Sequence, residues 1–157
     1  MRARLLLLLA LAGCSGFSGP PAPFIADVEG AWVGQLTYGY VVGAGPSGPL
    51  ADWDAALDLT MLNGFAFSGT ILLADAFGST LGPLDVTGSL DPPDAQGFRH
   101  GRMTIAICTP AGMTFDLFLS EDAIDADLAS PTWPCDDAGE GLPAFGSLTL
   151  QPAPPSP

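Results

Sequence analysis

Few side chains in this 157-residue chain are equipped for chemistry. His100 is the single histidine, lysine is absent, and no Gly-x-Ser-x-Gly segment occurs, so no nucleophile has a recognisable partner base. Arg99-His100-Gly101-Arg102 is the one basic cluster inside the domain. It reads either as an anion holder or as a loop-to-strand joint carrying solvated arginines. Glu121, Asp122, Asp125 and Asp127, and then Asp136, Asp137 and Glu140, offer the oxygens that calcium takes six to eight at a time. Neither run has the spacing of a calcium hand, and Asp125 and Asp127 alternate with Ile124, Ala126 and Leu128 as a solvent face does. Hence no catalytic residue, metal or cofactor is nominated, and the expectation is a non-enzymatic protein. Trp133, in Ser130-Pro131-Thr132-Trp133-Pro134-Cys135, is a candidate binding anchor or else a plug. The remaining reactive groups are three cysteines, Cys14, Cys108 and Cys135.

Cys14 is explained by what precedes it. Met1-Arg2-Ala3-Arg4 leads into an apolar run, Leu5 to Ala12, which is far short of the roughly 20 residues a membrane-spanning helix needs. Basic start, short apolar run and small residues before a cut are the parts of a secretory signal. Leu11-Ala12-Gly13-Cys14 resembles the lipobox of bacterial lipoproteins. The resemblance implies a signal peptide over 1–13, cleavage before Cys14, and diacylglycerol on the Cys14 sulfur. It often brings a third acyl chain, such as palmitate, on the new amino terminus, and two or more chains give stable anchoring. Ser15 stands where an aspartate would favour inner-membrane retention, so the resemblance implies the outer membrane or outer surface of a bacterial cell envelope.

Without residues 1–13 the chain keeps two arginines, Arg99 and Arg102, against seventeen carboxylates, a formal charge of −15. Such a surface repels phosphate backbones, which excludes nucleic acid as a partner. Cys108 and Cys135 then form an even pair in an oxidising compartment and read as a disulfide. It closes a loop of about 28 residues, worth roughly 3.5 kcal/mol.

The rest of the chain must position these groups. Residues 14–23 form a Pro- and Gly-rich tether that reaches about 30 Å when extended, residues 24–151 form the domain, and 152–157 a Pro-rich tail. Within the domain the hydrophobic period is two. Trp53, Ala55, Leu57, Leu59 and Met61 alternate with smaller or polar residues, as do Met103, Ile105 and Ile107, and Met113, Phe115, Leu117 and Leu119. Asn63-Gly64 is a two-residue hairpin signal. The pattern predicts eight strands, at 30–42, 53–62, 65–74, 84–90, 101–108, 113–120, 124–129 and 144–151. Short connections argue for sequential antiparallel pairing and closure into an up-and-down barrel, with a β-sandwich as the alternative. Gly34, Gly69, Gly88 and Gly146 each sit between apolar residues two positions away, as glycines do where barrel strands coil.

Gly30-Ala31-Trp32, together with the repeated apolar-Ser/Thr-Gly-Ser/Thr segments, resembles the lipocalin and avidin group of meander barrels. The resemblance implies an all-β up-and-down barrel and names no ligand; an eight-stranded barrel is just wide enough to be filled by side chains or to hold one small ligand. Large inward residues such as Trp32, Phe67, Phe115 and Met113 argue that the interior is filled, and the inward glycines argue for space. Two roles follow: an envelope protein that contacts other envelope components, or a carrier of a small hydrophobic ligand.

Strand parity assigns the ends. The tether enters at strand one, which defines a membrane-near end, and connections 43–52, 75–83, 109–112 and 130–143 fall at the far end. Cys108 and Cys135 then share the far end with Trp133, while Arg99 to Arg102 fall at the near end beside Trp32, where an arginine has an indole to stack on. A bridge requires Cα atoms within about 7 Å. Peptide mapping without reductant is expected to recover the Cys108 and Cys135 peptides as one linked species; two separate free-thiol peptides refute the pairing.

Overall fold

The computed structural model describes residues 26–42, 45–46, 51–107, 112–129 and 142–155. Its strands are β1 (Gly30–Val42), β2 (Gly45–Pro46), β3 (Ala51–Met61), β4 (Ala66–Ala74), β5 (Thr80–Leu90), β6 (Arg99–Ile105), β7 (Met113–Leu119), β8 (Ile124–Leu128) and β9 (Ala144–Pro152). β2 pairs only with the end of β1, at Val41 and Val42. The other eight run β1-β3-β4-β5-β6-β7-β8-β9, each antiparallel to the next, and β9 returns to β1 from Trp32↔Pro152 to Tyr40↔Ala144. This is a closed eight-stranded up-and-down barrel, not a sandwich. Closure satisfies the edge hydrogen bonds of the first and last strands at once.

Period-two patterning becomes inside and outside. Leu57, Leu59, Met103, Ile105, Met113, Phe115, Leu117 and Leu119 are all buried in one apolar core, and Asp58 is exposed. Phe67 and Phe115 are the largest of the fully buried side chains. The inward glycines serve packing. At Gly88 the ring of Phe67 occupies the place a Cβ would take, and at Gly69 the Asp58 carbonyl of β3 does so. These glycines admit a neighbouring ring or strand and do not open ligand space, contrary to the expectation of room at those positions.

Departures from the predicted boundaries have local causes. β5 starts at Thr80, earlier than expected, because a register shift between Ile71 and Leu73 accommodates Gly82-Pro83, a cis peptide bond. Proline has no N–H for the ladder and is tolerated at such bulges. The β3–β4 turn is wider than a two-residue hairpin. The Leu62 N–H donates to the Ala66 carbonyl at 2.8 Å, the Asn63 side-chain oxygen accepts from the Ala66 N–H at 2.9 Å, and Gly64 takes φ +77°. β6 begins at Arg99, so the basic cluster belongs to a strand and not to a joint.

The faces are tested by substitution and chemical denaturation. Leu57→Ala and Leu117→Ala are each expected to cost about 2–5 kcal/mol, while Asp58→Asn changes stability by less than about 0.5 kcal/mol. Equal losses at all three contradict the register.

Candidate functional site

The two ends of the barrel are built differently. At the near end the chain before β1 packs beneath the wall. Ala26 and Val28 are buried, the Ala26 N–H donates to the Gly97 carbonyl at 3.0 Å, and the Trp32 indole N–H donates to the Val28 carbonyl at 2.9 Å. Arg99, only 6% exposed, points inward among them. Its Nε donates to the Asp91 carbonyl at 3.0 Å and its Nη2 to the Gly64 carbonyl at 2.7 Å, and its guanidinium lies 5.9 Å from the centre of the Phe65 ring. A buried cation is costly unless its donors are used, and here carbonyls and an aromatic face use them. The arginine therefore stacks on Phe65, not on Trp32, and cross-links the 62–65 and 91–98 connections.

This placement dissolves the basic cluster. Alternation sends Arg99 in and Arg102 out, where Arg102 pairs with Asp116 at 3.0 Å on the surface. His100 faces outward and packs on Phe118 with ring centres 5.2 Å apart. Neither a shared anion site nor a pair of solvated arginines results. The acidic runs are divided as well. Asp125 and Asp127 project outward from β8, Glu121 and Asp122 lie in the turn before it, and Asp136, Asp137 and Glu140 lie outside the described residues. Among the described residues no three acidic, cysteine or histidine side chains converge as a metal site.

The far end differs. Apolar residues that join the core yet keep some exposure stand mostly there: Tyr40, Trp53, Leu81, Ile107, Leu128 and Ala144. Tyr38 of β1 and Trp53 of β3 are diagonal neighbours, Trp53 standing opposite Leu36 and Tyr38 opposite Ala51. Burial pushes the Tyr38 hydroxyl above its ordinary value, and the adjacent Trp53 indole pulls partly the other way. The Trp53 Nε1 atom is itself buried. Beside this rim the 75–79 turn presents Phe77, 95% exposed. Slight desolvation of the Asp75 carboxylate is outweighed by the N–H groups of Ser79 and Phe77, at 2.7 and 2.9 Å, so its pKa lies below the ordinary value.

Cys14, Cys108, Cys135 and Trp133 lie outside the described residues. β6 ends at Ile105 and β8 at Leu128, so the connections 106–112 and 129–143 leave the barrel at the same rim. Sequence reasoning missed the role of Arg99, although Met103 four residues on shares its parity and marks it as inward. It also missed Tyr38 and Tyr40, because the glycines around them blur the alternation of β1. No family model matches the chain, and no curated protein matches it in sequence.

Arg99→Ala is expected to destabilise the barrel by about 2–4 kcal/mol, since hydrogen bonds from charged groups are worth roughly 1.5–3 kcal/mol and the truncation leaves a void. Arg102→Ala, on the surface, should cost less than about 1 kcal/mol. Urea denaturation of both variants checks the contrast, and similar small losses would remove Arg99 from its cross-linking role.

Proposed function

We propose that the chain is a lipid-anchored, non-enzymatic lipoprotein of the bacterial cell envelope whose barrel is displayed for contact with another envelope component. The observation that carries this reading is the entry of the chain into the barrel at the closed end. Ala26 and Val28 are buried under that end, so a tether running from Cys14 joins the domain there. With Cys14 in the membrane, the far rim and the outer wall face away from it. The tight interior favours a contact role over storage, because Phe67, Phe115, Leu36, Met103 and Met113 leave the described core well filled.

The carrier reading draws on one observation of its own, the partial exposure of apolar and aromatic residues at the far rim. A small hydrophobic ligand bound there would be shallow, held at the mouth beside Tyr40 and Trp53.

Replacement of Cys14 by Ser is expected to move the protein from the membrane fraction to the soluble fraction and to leave a precursor that is uncut or cut elsewhere. A Cys14→Ser protein that still enters detergent with the wild-type mass refutes the anchor. Native mass spectrometry of the detergent-extracted wild type then separates the two roles: the mass of the lipidated protein alone supports the contact role, and a constant further mass that is lost on denaturation supports the carrier.

A further inference from the structure

The outer wall carries an apolar stripe that no part of the described chain covers. Val33 of β1, Ala56 of β3 and Leu72 of β4 are register partners side by side around the barrel. Val33 is 40% exposed and Leu72 44%. Two adjoining grooves of about 360 and 210 Å³ run over them, and Pro83 and Ala153 extend the second.

Charge flanks the stripe on both sides. The row below it is Ala31, Asp58, Thr70 and Asp85, and the row above is Gln35, Asp54 and Ala74. Asp54, Asp58 and Asp85 make no ion pair among the described residues. The two mature arginines are committed elsewhere, Arg99 inside the barrel and Arg102 to Asp116.

We propose that this stripe docks a short basic amphipathic helix of a partner protein, laid across the strands. The dimensions fit. Asp54 and Asp58, four residues apart on one strand, are about 13 Å apart along it, and a helix with its side chains is about 10–12 Å wide. From β1 to β4 is two strand spacings, about 10 Å, which two helical turns cover. Apolar residues at i, i+3/i+4 and i+7 meet Val33, Ala56 and Leu72, and lysines or arginines on the two flanks reach Asp54 on one side and Asp58 and Asp85 on the other. Because the barrel is closed, the partner gains nothing by adding a strand and must dock through side chains. A second copy of this chain is a poor occupant, since it has no free base to offer and brings the same aspartates. An anionic lipid surface is repelled for the same reason.

The proposal gives the contact role above a partner class. Its test uses the full chain carrying Cys14→Ser, so that the result is independent of the lipid anchor. The probe is a labelled synthetic helix of about 14 residues with leucines on one face and lysines on both flanks, compared with a glutamate-flanked twin. Fluorescence anisotropy is expected to show binding of the lysine helix only. Leu72→Glu should weaken it about tenfold or more with an unchanged melting curve, and Val33→Ser serves if that variant does not fold. Asp54→Asn with Asp58→Asn should weaken it several-fold and flatten its salt dependence, whereas Asp125→Asn with Asp127→Asn on β8, two strands beyond the β1 edge of the stripe, should weaken it far less. Equal weakening by both aspartate pairs would mean general attraction to an acidic protein and overturns the site. So does equal binding of the glutamate twin, or self-association of the chain that Leu72→Glu abolishes.

Discussion

Closure of the sheet on itself is the constraint from which the rest of the molecule follows. β1 lies between β3 and β9 and pairs with both over most of its length. If that strand were lost, both neighbours would become open edges and the core would lose its wall. Closure also makes register a property of the whole ring. A slip of one residue in any strand would turn its buried set to solvent and its polar set inward. On β3 that would exchange Leu57 for Asp58, which no pairing inside the barrel could satisfy. The apolar alternation is therefore what holds the ring in register, and the ring in turn fixes which side chains any function can use.

Within that ring the two ends divide the work. The near end is occupied by the chain's own residues: Trp32 and the Ala26 segment are tied by backbone carbonyls, and Arg99 is held across two connections. Glycine at position 88 lets Phe67 fill the adjacent interior. The far end keeps aromatic and aliphatic side chains that are only partly covered. A barrel of eight strands has just enough width for side chains or one small ligand. Buried side chains also fill the described interior toward the far end, with Leu73, Ile105 and Met113 fully covered, so among the described residues only the rims and the outer surface are open to contact.

The fold was largely legible in the sequence, because period two is a local signal and each long strand carries several repeats of it. Met113, Phe115, Leu117 and Leu119 on β7 show it without interruption, and so does β3 from Ala55 to Leu59. What could not be read is set by tertiary context. Gly82-Pro83 has the composition of a turn, and only a bulge in β5, two residues opposite Leu72 of β4, makes room for it in a strand. Arg99 has the composition of a surface residue, and its inward position depends on carbonyls from Gly64 and Asp91, the first of them 35 residues away in the chain. The outer stripe is less visible still. Val33, Ala56 and Leu72 come from three strands, and each alone is an ordinary exposed apolar residue.

The acidity of the domain takes on a different meaning once both arginines are located. Asp54 and Asp58, both outward on β3, sit about 13 Å apart, and in water such a pair costs only about 0.3 kcal/mol before salt screening reduces it further. The isolated barrel therefore tolerates them at little loss of stability. Elsewhere on the wall the charge is partly answered: Arg102 pairs with Asp116, which stands opposite Asp127, and the Thr37 hydroxyl donates to Asp52 at 2.8 Å. Beside the Val33–Ala56–Leu72 stripe Asp54 and Asp58 have no such answer. When a partner excludes water from the stripe the local dielectric falls and each of these interactions strengthens several-fold. Aspartates that are nearly neutral for folding then discriminate strongly between partners, rejecting an acidic or apolar one and favouring a basic one. Charge placed in this way contributes to selection, not to stability, and it can do so only because the closed ring holds the stripe and its flanks in fixed register.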